Sequence, residues 1–80
     1  MPTVLRRGGF DVSIRTRDHL PPHVHVFHSG LEVVILLGIK GGLPTVRDKR
    51  GMPERNMRRA LELVAENQEM LWLEWERIHG

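Results

Sequence analysis

Cysteine is absent from this 80-residue sequence. Its absence excludes a disulfide framework, a thiolate zinc site and a cysteine nucleophile. Any bound metal ion would therefore need histidine and carboxylate ligands. A chain of this length forms one domain, residues 1–80, whose single core supplies only about 3–5 kcal/mol without such crosslinks. We therefore expect a partner subunit to contribute to stability.

Long hydrophobic runs are also absent. A membrane-spanning helix needs about 18 apolar residues in succession, and no such stretch occurs. The first seven residues lack the apolar stretch of a signal peptide. With 40% hydrophobic and 28% charged residues, the composition is that of an ordinary globular protein. We expect a cytoplasmic protein that does not contact membranes.

Charge is distributed unevenly along the chain. Residues 1–59 contain eleven Lys or Arg against five Asp or Glu, a net charge of +6, whereas residues 60–80 contain one against five, a net charge of −4. The basic part is therefore predicted to face an anion, such as the phosphate groups of nucleic acid. The cations that we assign to this surface are Arg15, Arg17, Lys40, Arg47, Lys49 and Arg50.

The first half of the sequence has the pattern of β-hairpins. Phe10, Val12 and Ile14 alternate with polar residues, and Gly8-Gly9 before them provides a turn back onto residues 3–6. A second hairpin is predicted from residues 23–28 and 31–37, joined at Ser29-Gly30. Residues 45–47 are a candidate fifth strand.

The turn of the second hairpin fixes which residues pair. With Ser29-Gly30 at the turn, the numbers of paired residues add up to 59, so that Val26 pairs with Val33 and His25 with Val34. One face then carries Val24, Val26, Val33 and Ile35, which we assign to the core. The other face, which we expect to be accessible to solvent, carries His23, His25, Phe27, Glu32, Val34 and Leu36.

The C-terminal third has the pattern of an amphipathic helix. Pro53 suits the first helical turn, and an apolar stripe follows, interrupted at Gln68. One helix over residues 53–78 would be roughly 39 Å long, more than a small sheet can cover. Its far end must therefore bend back or bind another chain. The fold class predicted is α+β, with an antiparallel sheet of four to five strands in two hairpins and one long C-terminal helix.

The segment Asp18-His19-Leu20-Pro21-Pro22-His23-Val24-His25 holds most of the reactive side chains. His23 and His25 project to one side of a strand about 6.5–7 Å apart, close enough to share a metal ion or a phosphate. A third metal ligand would be Asp18, His19 or Glu32. His28 should point to the opposite face. An isolated His-x-His is a weak signal, and a purely structural role, with the rings bonded to loop backbone, is an equally good interpretation.

Without a metal, a pair of histidines can act as general acid and base on a phosphodiester when cations stabilise the charge that develops on phosphorus. Under this interpretation the catalytic residues are His19, His23, His25 and Asp18, and no metal or other cofactor takes part. Asp18 would orient an imidazole or cap the turn that follows it.

Two tryptophans near the C-terminus indicate a protein partner. Trp72 and Trp75 are surrounded by glutamates, which would repel phosphate, so that they are better suited to an interface than to stacking on bases. The predicted partner interface consists of Leu71, Trp72, Trp75 and Ile78.

The sequence also resembles a known family. The segments that carry the resemblance are Met1 to Arg6, Gly9-Phe10, Asp18 to Val26, Arg58-Arg59-Ala60-Leu61 and Asn67 to Trp75. They resemble the small bacterial proteins of the domain of unknown function 4160 family. Members are commonly encoded beside a small protein of the domain of unknown function 2442 family, in pairs of the toxin–antitoxin kind. The resemblance implies a partner of that kind, but it does not identify any catalytic residue.

Together these features favour the toxin component of a bacterial type II toxin–antitoxin module, which binds or cleaves RNA through the histidine and arginine cluster. Its partners would be the cognate small antitoxin, a second copy in a homodimer, or both, together with RNA. One alternative is a non-catalytic interaction module that uses the long helix. A further alternative is a histidine-based, metal-dependent hydrolase.

Overall fold

A computed structural model describes residues 3–80. It contains one sheet and two helices, in the order β1 (Thr3–Arg7), β2 (Phe10–Ser13), β3 (His23–His28), β4 (Leu31–Leu36), β5 (Thr45–Asp48), α1 (Glu54–Glu66) and α2 (Gln68–His79). All neighbouring strands are antiparallel and follow one another in sequence order. The predicted α+β class, both hairpins and the fifth strand are confirmed.

Both hairpin turns have the backbone conformation that their sequences predict. Gly8 and Gly9 have φ values of 59° and 83°, and Ser29 and Gly30 have values of 51° and 77°. Positive φ at both central residues is the type I′ pattern, whose twist matches that of the flanking strands. The second turn gives the expected register, in which Val26 pairs with Val33 and His25 pairs with Val34.

The core lies between the helices and one face of the sheet. Val24, Val26, Val33 and Ile35 on that face are fully buried. From the helices, Met57, Ala60, Leu63, Val64, Leu71 and Trp75 pack against them. His23 and His25 of β3 lie on the other face, because successive side chains of a strand alternate.

The prediction of one long helix is wrong. Helix α1 ends at Glu66, and Asn67, with φ −118° and ψ 15°, separates it from α2. The side-chain amide of Asn67 donates to the Leu63 carbonyl oxygen at 2.8 Å, which satisfies an acceptor of the last turn. A helix of about 39 Å would exceed the longest dimension of the fold, 33 Å. The helical segment bends so that both halves cover the sheet.

Hydrogen bonds hold the start of α2 against the loop that follows β4. The Gln68 side chain accepts from the Gly38 N–H at 2.6 Å and donates to the Gly42 carbonyl at 2.9 Å. The Trp72 indole N–H donates to the Gly38 carbonyl at 2.7 Å. A Cβ atom at Gly38 would lie only 1.9 Å from the Gly42 oxygen, so this close approach requires glycine. Among the helices formed by residues 3–80, none has the length and apolar character needed to cross a membrane.

Candidate functional site

His23 and His25 lie side by side, as the strand pattern predicts. Their ring centroids are 5.2 Å apart with the rings nearly perpendicular. The expectation that this face is open to solvent is wrong for His23, His25 and Val34, which are only 5%, 4% and 3% exposed. The segment between β2 and β3 supplies Asp18, which contacts both rings, and β4 supplies Glu32, which contacts the ring of His25.

The ring of His25 lies between two carboxylates. Its Nδ1 is 2.6 Å from Glu32 Oε2, and its Nε2 is 3.1 Å from Asp18 Oδ2. The contact with Glu32 follows from the register, which places Glu32 and His25 as diagonal neighbours on one face of the β3–β4 pair. Both nitrogens of the ring are therefore engaged within the protein.

His23 is held in a similar way. Its Nδ1 donates to the Pro21 carbonyl oxygen at 2.8 Å, and its Nε2 lies 3.4 Å from Asp18 Oδ1. The ring also packs on Trp75 of α2, with centroids 5.6 Å apart. The loop backbone, the core and the carboxylate together fix the orientation of this imidazole.

Asp18 contacts both imidazoles, which agrees with one of the two roles considered for it, but its backbone hydrogen bond is made to the turn that precedes it and not to the turn that follows. One carboxylate oxygen accepts from the Arg15 backbone N–H at 3.1 Å, which closes the turn after β2. The same carboxylate contacts both histidines. Burial raises the pKa of Asp18, but the hydrogen bonds from the Arg15 amide and His25 and the charges of both histidines outweigh it, so that the pKa is lowered overall.

Glu32 connects this cluster to two arginines. Its carboxylate is 2.8 Å from Arg50 and 3.5 Å from Arg15, in addition to its contact with His25. Desolvation raises the pKa of Glu32, but the hydrogen bonds from His25 and Arg50 outweigh it and lower the pKa. The sequence suggested Glu32 only as a third metal ligand; the diagonal position in the hairpin was the signal for its contact with His25.

An open pocket of about 360 Å³ lies over this cluster. The predicted site residues that line it are Arg15, Arg17, Asp18, His19, His23, His25, Arg47 and Arg50. Val34 and Asp48 complete the lining, and Asp48 pairs with Arg50 at 2.8 Å. Apart from Lys40 and Lys49, the structure therefore brings the predicted catalytic and anion-binding residues together.

Two predicted cations lie outside the pocket lining. Lys40 is in the loop after β4 and lines a separate hollow with Gln68 and Trp72. Lys49 is exposed just after β5 and is not part of the lining. Because Arg47, Lys49 and Arg50 are close together in the sequence, the sequence alone could not show that only the two arginines line the pocket. His28 points away as predicted, with its ring stacked on Phe10 at 4.4 Å.

The residues assigned to a partner interface have different surroundings. Leu71 is fully buried and Trp75 is 5% exposed, so both belong to the core of this chain and offer no surface to a partner. Trp72 and Ile78 are half-buried at the edge of the core. A residue that the sequence did not single out, His79, joins α2 to the site, because its Nε2 lies 3.1 Å from the Arg15 carbonyl oxygen.

The geometry determines what the cluster can do. A general acid or base must present a nitrogen to the substrate, whereas each ring nitrogen of His23 and His25 faces an oxygen of Asp18, Glu32 or Pro21. Asp18, His23 and His25 also offer ligand atoms within 4.8 Å of one another, a spacing at which one metal ion is within reach of all three. The surrounding arginines suit an anion.

The fold and the site together define a small α+β protein in which a two-part helix covers one face of a five-stranded sheet and a histidine–carboxylate cluster occupies the other. The sequence profile described as "Domain of unknown function (DUF4160)" matches residues 9–76, and the chain belongs to this family. The family resemblance noted in the sequence is therefore confirmed. Neither the curated proteins nor the solved structures contain a match.

Proposed function

We propose that this protein binds RNA through phosphate contacts in the arginine-lined pocket and acts as the toxin-like member of a two-protein module. The observation that carries the proposal is the convergence of Arg15, Arg17, Arg47 and Arg50 on one pocket. Guanidinium groups bind phosphate oxygens with two parallel hydrogen bonds, which makes arginine the preferred residue for such contacts.

The four arginines have different roles in this proposal. Arg15 and Arg50 are 3.5 Å and 2.8 Å from Glu32, so that part of their charge is compensated. Arg17 and Arg47 are exposed, and within residues 3–80 their side chains make no hydrogen bond or salt bridge. After the hydrogen bond from Arg50, the charge of Arg47 also helps to lower the pKa of neighbouring Asp48. Arg17 and Arg47 therefore supply the phosphate contacts, while Arg15 and Arg50 position the rim of the pocket.

The geometry of the site supports RNA cleavage by His23 and His25 less well than it supports RNA binding. His25 would have to break its contact with Glu32 or Asp18 before it could accept a proton from a ribose hydroxyl. The alternative of a non-catalytic interaction module has less support, because two of its four predicted interface residues, Leu71 and Trp75, are buried in the core. We therefore take RNA binding as the primary activity, and the small antitoxin as the partner that controls it.

The test compares two double variants of equal charge. Arg17→Ala/Arg47→Ala removes the pocket cations, and Arg55→Ala/Arg58→Ala removes two exposed arginines of α1, which covers the opposite face of the sheet. Fluorescence anisotropy with a labelled single-stranded RNA should show at least a 10-fold loss of affinity for the first variant, because a phosphate contact is worth about 1 kcal/mol or more. The second should bind nearly as well as the unmodified protein.

A growth assay tests the cellular role. Expression of the protein alone should arrest bacterial growth, expression of Arg17→Ala/Arg47→Ala should not, and co-expression of the proposed antitoxin of the domain of unknown function 2442 family should restore growth. Equal affinity of the two double variants for RNA would refute the pocket as the binding site. Normal growth during expression of the unmodified protein would refute the toxin role.

A further inference from the structure

The side chains of Asp18, His23 and His25 bring three potential metal-ligand atoms close together. His23 Nδ1 faces the Pro21 carbonyl oxygen at 2.8 Å, and His25 Nδ1 faces a Glu32 carboxylate oxygen at 2.6 Å. A carbonyl oxygen and an ionised carboxylate can only accept a hydrogen bond, so each Nδ1 must carry the hydrogen. In a neutral imidazole the other nitrogen, Nε2, then presents a lone pair.

Both Nε2 atoms point at the same acceptor. They lie 3.4 Å (His23) and 3.1 Å (His25) from Asp18 carboxylate oxygens. While both imidazoles are neutral, two lone pairs and a carboxylate meet with no hydrogen between them and repel one another, most strongly where water is excluded. Here the two rings are about 95% buried. A cation shared by the three groups would turn this repulsion into attraction.

We propose that His23 Nε2, His25 Nε2 and the Asp18 carboxylate bind a divalent first-row transition-metal ion. Two imidazoles and one carboxylate are a donor set that suits zinc, iron(II), cobalt(II) and nickel(II). Ligand atoms around a tetrahedral ion are about 3.4 Å apart when the bonds are about 2.1 Å long. The two Asp18 contacts, at 3.4 and 3.1 Å, are close to this spacing, and all three ligand atoms lie within 4.8 Å of one another, so that a small shift of the side chains would bring every pair to the ligand spacing.

The surroundings of the ligands fit the same assignment. In metal sites, a ligating histidine donates its second N–H to a carboxylate or a backbone carbonyl, which fixes the ring and raises its basicity. Glu32 and Pro21 supply these two acceptors, and the Arg15 amide orients the Asp18 carboxylate. All three ligands line the pocket, so the remaining coordination positions face it and are open to water or a phosphate oxygen.

Cobalt(II) is the probe that tests the site, because its visible spectrum reports ligation directly. Protein freed of metal by a chelator should bind one Co²⁺ per chain, with absorption bands that saturate at one equivalent. His23→Ala should lose this spectrum. The control, His28→Ala, alters a histidine on the same strand that stacks on Phe10 and should retain it. Circular dichroism would establish that both variants are folded.

X-ray absorption of zinc-loaded unmodified protein gives a result that does not depend on any variant. Two imidazole nitrogens and one carboxylate oxygen should appear at about 2.0–2.2 Å. A spectrum of free aqueous cobalt throughout the titration would overturn the proposal and would assign the cluster to imidazolium–carboxylate pairs. Equal binding by His23→Ala would also overturn it. The Arg17→Ala/Arg47→Ala variant keeps all three ligands and should bind cobalt normally, so the outcome is independent of RNA binding.

Discussion

At the scale of single residues, Glu32 determines how the pocket is organised. It is the common partner of His25, Arg15 and Arg50, which come from three different parts of the chain. A carboxylate can accept four hydrogen bonds from different directions, whereas the isosteric amide keeps only one oxygen and adds donors that face cations. Replacing Glu32 therefore tests the whole cluster without changing its shape.

Glu32→Gln should lower the free energy of unfolding by about 1–3 kcal/mol, because charge-assisted hydrogen bonds to partly buried groups are lost. For a domain of this size, a loss of this magnitude corresponds to a fall in Tm of several degrees, about 4–8 °C per kcal/mol. Thermal unfolding followed by circular dichroism measures it. Glu62→Gln, an exposed position on α1, is the matched control and should leave Tm unchanged. Equal Tm values for both variants would contradict the central role of Glu32.

The positions of the site residues could be predicted from the sequence, but their burial could not. The His-x-His spacing and the hairpin register together predicted two imidazoles on one side of the sheet, with Glu32 on the same face. The burial of His23 and His25 could not be predicted in this way, since it depends on how the segment between β2 and β3 folds over the sheet. Two successive prolines indicated a loop there, but not its path.

At the scale of secondary-structure elements, the strands were predictable and the helix was not. Period-two alternation and the Gly8-Gly9 and Ser29-Gly30 turns specify local geometry, and they predicted both hairpins and the residue pairing of the second. At the two positions where the helical period would continue the stripe after Val64, three and four residues on, the sequence has polar Asn67 and Gln68. That gap in the stripe is where α1 and α2 separate. The polar interruption was visible, but only the limited size of the sheet determines that the chain bends.

The bend brings Leu71 into the core, while Leu73, two positions further along α2, faces nearly the opposite direction, so the two leucines make a matched test. Leu71 is fully buried, whereas Leu73 is 62% exposed on the same helix. Leu71→Ala should lower the free energy of unfolding by about 2–5 kcal/mol through lost packing and a cavity. Leu73→Ala should change it by less than about 0.5 kcal/mol.

Urea unfolding of the isolated chain, with circular dichroism as the signal, measures both values. If Leu71 belonged to a partner interface and not to the core, its substitution would leave the isolated chain as stable as Leu73→Ala does. That result would favour the other alternative drawn from the sequence, in which the far end of the helix binds another chain, and would contradict the bend at Asn67.

At the scale of the whole molecule, charge and layer arrangement separate two surfaces. The helices occupy one face of the sheet, and the pocket with its four arginines opens on the other. The net charge of +6 in residues 1–59 against −4 in residues 60–80 gives the molecule opposite charges in two parts of the chain. If RNA were attracted diffusely to the basic part, its affinity would depend on the total charge of the protein. If RNA binds in the pocket, its affinity depends on the few cations that line the pocket.

The dependence of RNA affinity on salt distinguishes these cases. Each phosphate contact to single-stranded nucleic acid contributes about −0.7 to the slope of log K against log salt concentration. Two contacts from Arg17 and Arg47, with partial contributions from Arg15 and Arg50, should give a slope between about −1.4 and −2.8. The Arg17→Ala/Arg47→Ala variant should reduce its magnitude by about 1.4, while Arg55→Ala/Arg58→Ala leaves it unchanged. Anisotropy titrations across a series of salt concentrations measure the slopes. Equal reductions in both variants would mean that RNA responds to overall charge, and the pocket would then have no special role in binding it.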